Sequence, residues 1–156
     1  MEHNLISQIL ADFNSIEGRL KKAIRIYVDP KEDVFFEDYI MNNLVVNFAL
    51  KYKLLRAILK RADDPISKDF DKSIKIIMAI RNSVAHSEFL NNETVIDAEI
   101  DSDGFQFPIY GHKSRIITFE NDEMIETDIT DKYKTFQKYF EIASSELDKI
   151  ESNLGC

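Results

Sequence analysis

Apolar residues recur every three or four positions along four long segments of this chain, and this spacing constrains its fold more than any other feature. Residues spaced in this way share one face of an α-helix, and that face has to be buried against another element. The segments cover residues 5–27, about 33–61, 68 to about 87, and about 130–154. The spacing therefore predicts helices that pack around a common core.

The positions predicted to face this core follow from the same spacing. They are Leu5, Ile9, Phe13, Ile16, Leu20, Ala23 and Tyr27 in the first segment, Phe36, Ile40, Leu44, Phe48, Tyr52, Leu55 and Leu59 in the second, Phe70, Ile74, Ile77 and Val84 in the third, and Tyr133, Phe136, Phe140, Ala143, Leu147, Ile150 and Leu154 in the fourth.

Two prolines separate the first three helical segments. Pro30 follows Asp29, and Pro65 follows Asp63-Asp64. Proline cannot continue the helical hydrogen-bond ladder, and it also moves the preceding residue out of the helical region. Ser67 then stands where an N-cap is needed, so we expect the third helix to begin immediately after it.

Residues 91–130 differ in character from the helical segments. Thr94–Ile100, Phe105–Tyr110 and Arg115–Glu120 are rich in strand-forming residues. Asp101-Ser102-Asp103-Gly104 and Gly111-His112-Lys113-Ser114 are typical of turns. These segments predict a small antiparallel meander of three or four strands.

The predicted fold class is mainly α: an antiparallel bundle of about four helices, with the β-meander inserted between the third and the fourth. Apolar residues make up 44% of the 156-residue chain and aromatic residues 11%, which is enough for one core. Residues 1–156 are therefore predicted to form a single domain, with the β-insertion at approximately 91–130.

The formal net charge of −8 argues against indiscriminate binding to nucleic acids, because an acidic surface repels phosphate. The charge is unevenly distributed, with +2 on residues 1–61 and −10 on residues 62–156. Any contact with RNA is therefore expected to be local, and the first part of the chain is the predicted phosphate-facing side.

Several kinds of site and location are not favoured by the sequence. The four glycines do not form a phosphate-binding loop, and the single cysteine, Cys156, is terminal. No segment has the roughly 20 consecutive apolar residues of a membrane span, and the first residues lack a secretory pattern, so a cytoplasmic protein is predicted. No cofactor and no metal site are predicted. Two groups of acidic residues carry the oxygen ligands that hard cations prefer, namely Asp97, Asp101 and Asp103, and Asp122, Glu123 and Glu126.

One short segment carries residues suited to chemistry, namely Arg81-Asn82-Ser83-Val84-Ala85-His86 at the end of the third helix. Arg81 and His86 are separated by about 7.5 Å of helical rise and about 140° of rotation, so they do not stack directly. Asn82 and His86 are four residues apart, however, and the long Arg81 side chain can swing toward the imidazole. These three residues are predicted to form one polar patch.

An imidazole and a guanidinium together suit phosphodiester cleavage without a metal. The imidazole of His86 can remove a proton from a 2′-hydroxyl, or donate one to the leaving oxygen, near neutral pH. The guanidinium of Arg81 can hold the non-bridging oxygens while negative charge accumulates in the transition state.

The sequence of this segment resembles the R-N-x-x-x-H signature of the HEPN superfamily, whose members are helical bundles that dimerise. In that family the arginine and histidine of both subunits line a cleft at the dimer interface and cleave RNA without a metal. The resemblance implies that Arg81 binds phosphate and the transition state, that His86 is the general acid/base, and that Asn82 organises the site. It covers six residues, and the β-insertion departs from the plainest members.

The resemblance also implies partners: an RNA substrate, a second subunit, and a cognate antitoxin or regulator such as those encoded beside family members that act as toxins or phage-defence effectors.

Lys53, Arg56 and Lys60 share one face of the second helix and are candidate substrate-binding residues. The alternative is that they form an ordinary solvated face.

His112, Lys113 and Arg115 would add positive charge if they reached the cleft, but an exposed turn is the simpler interpretation. The competing hypothesis for the whole protein is a non-catalytic interaction or regulatory module of the same fold. A third is that the motif is coincidental and the chain is an unrelated helical dimer.

Overall fold

A computed structural model describes residues 3–85, 88–100, 106–120 and 123–155 of the chain, and these residues are mainly helical. The helices are α1 (His3–Val28), α2 (Asp33–Phe35), a π-helix (Phe36–Ile40), α3 (Phe48–Arg61), α4 (Lys68–Ala85) and α5 (Ile129–Leu154). The strands are β1 (Glu88–Ile100), β2 (Gln106–Glu120) and β3 (Glu123–Asp128), and they lie between α4 and α5.

The helices pack around one apolar core. α1 packs against α3, α4 and α5, and α4 also packs against α5. α4 and α5 run antiparallel, because Ser67, just before α4, bonds to Glu146 late in α5, whereas Ser83, late in α4, bonds to Lys132 early in α5. The side chains in the centre are almost completely buried, and they include Ile9, Phe13, Ile16, Leu20, Leu55, Leu59, Phe70, Ile74, Ile77, Phe136, Ala143 and Leu147.

The two predicted breaks between helices are confirmed. α1 ends at Val28, and Asp29 adopts a φ of 45° immediately before Pro30. Asp63 adopts a φ of 60° before Pro65, in the connection between α3 and α4. The Ser67 hydroxyl accepts a hydrogen bond from the backbone N–H of Phe70 at 3.1 Å, so Ser67 caps α4 as predicted.

The prediction of one continuous helix over residues 33–61 is wrong. The segment instead forms α2, the π-helix, an irregular stretch at residues 41–47, and then α3. Short amide side chains explain the interruption, because they compete with the helical backbone bonds. The Asn42 Oδ1 accepts from the Leu44 N–H at 2.9 Å, and the Asn47 Oδ1 caps α3 by accepting from the Leu50 N–H at 3.0 Å.

This interruption changes which residues reach the core. Leu44 and Ile40 were predicted to be buried, but they are 96% and 41% exposed. Met41 and Val46 are buried in their place, because the irregular backbone no longer follows the helical spacing. Tyr27, at the end of α1, is also more exposed than predicted.

The three strands pair in the order β1-β2-β3, and both pairings are antiparallel. β1 begins at Glu88, six residues before the predicted strand at Thr94. The predicted turn at residues 111–114 is wrong, because these residues continue β2 and pair with residues 91–94 of β1. The early start of β1 supplies the partner backbone that keeps this stretch extended.

α5 begins directly after β3, close to the predicted start at Thr130 or Asp131. The Asp128 carboxylate accepts from the Thr130 N–H at 2.7 Å and so caps the helix. Within the described residues, none of the helices combines the length and apolar character needed to cross a membrane.

The interrupted helix at residues 33–61 predicts different effects on stability for substitutions at two leucines. Leu44→Ser is expected to change the free energy of unfolding by no more than about 0.5 kcal/mol, because the side chain is already in water. Leu55→Ala is expected to cost about 2–5 kcal/mol, because it leaves a cavity in the core. Urea unfolding of each variant beside wild type, at one protein concentration, measures both. A loss of stability for Leu44→Ser as large as that for Leu55→Ala would contradict the interrupted helix.

Candidate functional site

Arg81 lies on the core-facing side of α4. The buried residues Phe70, Ile74, Ile77 and Val84 follow each other at helical spacing, and Arg81 falls between the last two at the same spacing. The Arg81 side chain is therefore attached to the apolar face of the helix and not to its solvent face. The side chain is therefore half-buried.

Two neighbours hold the Arg81 guanidinium in place. Its central carbon lies 5.3 Å from the centre of the Phe13 ring on α1, a distance suited to a cation–π contact. Its Nη1 donates to the Asn82 Oδ1 at 3.2 Å. Its Nε is buried and has no hydrogen-bond partner among the described residues. The guanidinium is thus held in position, and its Nε–H remains available as a hydrogen-bond donor.

Arg81 differs from the other half-buried arginines in its charge partners. Arg19 pairs with Asp148 and Glu151, Arg25 pairs with Asp33 and Glu37, and Arg115 pairs with Glu126. Arg81 has no carboxylate partner within the described ranges. In a chain with 28 acidic residues, this leaves a half-buried cation available to an external anion.

Arg81 and Asn82 line a cavity of about 360 Å³. One wall of the cavity is apolar and consists of Phe13, Phe48 and Met78; the Phe13 and Phe48 ring centres are 4.4 Å apart. The remaining lining is mostly polar and includes Glu17, Asn43 and Asn47. This combination of an apolar wall with a few polar groups is typical of small-molecule and nucleotide sites.

A polar cluster supports this cavity: Glu17 and Lys51 are buried, Asn43 is exposed, and we call the three residues the Lys51 cluster. The Lys51 Nζ lies 2.8 Å from the Glu17 Oε1 and also donates to the Asn43 Oδ1. The Asn43 Nδ2 donates to the Glu17 Oε2 at 3.2 Å. Lys51 is only 2% exposed. The cluster ties α1, α3 and the irregular segment together.

The Lys51 cluster also separates two cavities. Glu17 and Asn43 line both the Arg81 cavity and a neighbouring cavity of about 550 Å³, which is lined further by Asn14, Gly18 and Asp38. Lys51 lines only the second cavity. The shared wall therefore consists of a carboxylate and an amide that the buried ammonium holds in place.

Sequence analysis missed the Lys51 cluster, although a signal was present. Lys51 lies three residues after Phe48 and four before Leu55, and Glu17 lies four residues after Phe13 and three before Leu20. Both charged residues therefore fall on apolar stripes. Opposite charges on the buried faces of two helices are the pattern that indicates an internal ion pair.

Removal of one partner of this pair is expected to be costly. Lys51→Met leaves the Glu17 carboxylate buried without its counter-ion and is expected to lower the free energy of unfolding by about 3–5 kcal/mol. The double variant Glu17→Gln, Lys51→Met removes the uncompensated charge and should recover most of that loss. Urea unfolding at neutral pH measures both variants. Equal losses in the single and double variants would contradict the buried ion pair.

His86, the predicted general acid/base, lies outside the described residues, as does Ser87. The sequence places His86 one residue beyond the end of α4 at Ala85. Asp101, Asp103, Asp122 and Cys156 also lie outside the described residues, as does the side chain of Asp97.

The candidate substrate-binding cations Lys53, Arg56 and Lys60 are exposed on α3 and do not line the Arg81 cavity. Arg56 lies over the Tyr52 ring, 5.8 Å from its centre, and 3.5 Å from the Asp71 carboxylate. The Tyr52 hydroxyl donates to Asp71 at 2.7 Å. Burial, followed by this bond to Asp71, raises the pKa of Tyr52, whereas hydrogen bonds from Lys75 and then Tyr52 lower the pKa of Asp71.

The three candidate residues of the β-insertion are not brought to Arg81 by any described contact. The side chains of His112 and Lys113 lie outside the part of the chain that the structure describes. Arg115 bonds to Glu126 at 3.0 Å, and Asp128 and Asp131 line the same small cavity. Its positive charge is therefore directed to acidic neighbours.

A second cation beside the motif was also missed. The Lys132 Nζ on α5 donates to the Ser83 Oγ at 2.8 Å, within the motif segment. Packing of α5 against α4 creates this contact, and no local spacing in the sequence indicates it. The end of α4 thus has a cation on a neighbouring helix in addition to its own Arg81.

Comparison of the chain with protein-family models, with curated proteins and with solved structures found no match.

Proposed function

We propose that this protein is a metal-independent endoribonuclease of the HEPN type, acting as a toxin or phage-defence effector. The observation that carries the proposal is the half-buried Arg81 guanidinium, which lines a cavity without a carboxylate partner among the described residues. A phosphodiester supplies the anion that this cation lacks. The acidic charge of the remaining chain favours a local contact of this kind over a broad basic surface.

The proposed reaction uses the 2′-hydroxyl of the RNA itself as the nucleophile. The 2′-oxygen attacks the adjacent phosphorus and loses its proton to a base, while the bond from phosphorus to the 5′-oxygen breaks and that oxygen gains a proton. The products are a 2′,3′-cyclic phosphate and a 5′-hydroxyl. His86 is the proposed proton-transfer group, since an imidazole changes its charge near neutral pH.

Arg81 is proposed to hold the non-bridging oxygens of the phosphate during this attack. Asn82 contributes indirectly, because its Oδ1 accepts from the Arg81 Nη1 and so orients the guanidinium. The face of Phe13 restricts the same group from the other side. Prepositioned charge of this kind stabilises a transition state without reorganisation during the reaction.

Two subunits are proposed to bring their motifs to one cleft, as the family resemblance implies, and a cognate antitoxin or regulator is proposed to mask or modify it. Exposed apolar side chains are available for such contacts on α2, the π-helix and the following segment. They include Val34, Phe35, Tyr39, Leu44 and Val45. Contiguous exposed apolar residues commonly mark interaction surfaces.

The proposed chemistry predicts a metal-independent, motif-dependent cleavage of RNA. Wild type is expected to cut total RNA or single transfer RNAs in the presence of a chelator. Arg81→Ala is expected to lower the rate by about 10²–10³, and His86→Ala by about 10²–10⁴. Cleavage is followed on gels, and the 2′,3′-cyclic phosphate is identified at the new ends.

Arg61→Ala is the matched control for that experiment, because Arg61 is an exposed arginine at the end of α3 and lies outside the motif. Its rate should stay close to that of wild type. Folded, dimeric wild-type protein that leaves all these RNAs intact would contradict the proposed activity, as would equal rates for Arg81→Ala and Arg61→Ala.

The exposed apolar side chains also favour the second candidate function, a non-catalytic interaction module. In that case Leu44→Asp would abolish binding to the partner, and wild type would bind it without cutting RNA. The cleavage assay therefore separates the two functions, because only the ribonuclease predicts an effect of His86→Ala on RNA ends.

A further inference from the structure

We infer that the Arg81 cavity is a nucleobase pocket that selects bases with an imino N–H, namely guanine and uracil, next to the cleaved phosphate. This inference rests on the proposed ribonuclease function, because the RNA chain is the source of the base. It goes further than that function by assigning a specificity to residues outside the motif: Glu17 on α1 and Asn47 at the start of α3.

The size and the apolar wall of the cavity suit a base. The volume of about 360 Å³ exceeds that of a single purine and leaves room for part of the ribose. Phe13 and Phe48 are almost completely buried and form the floor of the cavity, so a base meets their edges together with the half-buried Met78. Arg81 lies at the edge of this wall over Phe13, so a base in the cavity has its phosphate close to the guanidinium.

The polar groups of the cavity determine which base fits. The Glu17 carboxylate accepts one hydrogen bond on each oxygen, from Lys51 and from Asn43. A carboxylate has about four acceptor positions, so it retains capacity for a donor from a ligand. Guanine and uracil present an imino N–H there, whereas adenine and cytosine present a ring nitrogen lone pair, which a carboxylate repels.

Amide donors complete the match. The Asn47 Oδ1 is occupied by the Leu50 N–H, and the Asn82 Oδ1 is occupied by Arg81. The structure gives neither Nδ2 group a partner within the described residues. Guanine and uracil carry carbonyl oxygens beside the imino N–H, and these oxygens accept from such amides. An acceptor with an amide donor therefore matches the imino N–H and the adjacent carbonyl that guanine and uracil share, and the 2-amino group of guanine can donate to the same carboxylate.

Asn47→Asp tests the pocket without removing the helix cap. Aspartate caps a helix as well as asparagine does, and its charge suits a helix N-terminus, so the fold should persist. The change replaces the amide donor by a second carboxylate. Asn14→Asp makes the same chemical change in the neighbouring cavity, which does not contain Arg81, and it is the matched control.

The first readout is binding of the four nucleoside 3′-monophosphates, followed by NMR. Wild type is expected to bind the guanosine and uridine compounds about tenfold more tightly than the adenosine and cytidine compounds, the factor that one unsatisfied hydrogen bond produces. Asn47→Asp should remove that preference, and Asn14→Asp should retain it. The second readout is the distribution of cleavage sites in an RNA of random sequence.

The outcomes distinguish this inference from the proposed function. Selective binding that depends on Asn47, without any cleavage, would retain the pocket and contradict the ribonuclease. Cleavage that requires Arg81 but shows no base preference, or the same preference in Asn47→Asp, would retain the ribonuclease and overturn the pocket. Equal binding of all four monophosphates would also overturn it.

Discussion

The buried ion pair between Glu17 and Lys51 is the interaction on which the arrangement of the site depends. It joins α1 to α3 in the interior, where an ammonium and a carboxylate are tolerated only as a pair. Asn43 bonds to both groups and thereby attaches the irregular segment at residues 41–47 to the two helices. Glu17 and Asn43 line both cavities and Lys51 holds them in place, so the shape of the Arg81 cavity follows from this pair.

The partial burial of Arg81 follows from the position of its backbone on the core-facing side of α4. A cation on the solvent face would be hydrated and mobile, and one on the core-facing stripe must find a partner or an opening. The face of Phe13 and the amide of Asn82 hold the guanidinium, and the cavity provides the opening. A packed apolar helix face thus positions a charged group that is available to an anion.

Much of the fold could be predicted from the sequence because local rules and core packing agree there. Proline and the cap at Ser67 bound the helices, and the apolar stripes of α1, α4 and α5 face the core as their spacing requires, except at Tyr27 near the end of α1. The rule failed at residues 41–47, where short amide side chains bond to the backbone and override the periodicity. It failed again at residues 111–114, where pairing with β1 outweighs the local preference for a turn.

The candidate site was predictable only in part. Arg81 and Asn82 could be selected from the sequence of the motif. The contact between Arg81 and the Phe13 ring could not be predicted from spacing, because Phe13 lies on another helix. Lys53, Arg56 and Lys60 share a face, as predicted, yet the contact of Arg56 with Asp71 depends on the packing of α3 against α4. Glu17 and Asn47 line one cavity with Arg81 only because three separate segments meet there.

Binding of an RNA phosphate by Arg81 is measured most directly by the NMR signal of the Arg81 Nε–H. The titrant is an RNA oligonucleotide whose 2′-hydroxyls are replaced by hydrogen, so that it cannot be cleaved. We expect a saturable shift of this signal, while the signal of the Arg19 Nε–H, which is bonded to Glu151, stays in place. Saturation of the protein with the oligonucleotide while the Arg81 signal remains unchanged would contradict phosphate binding by Arg81.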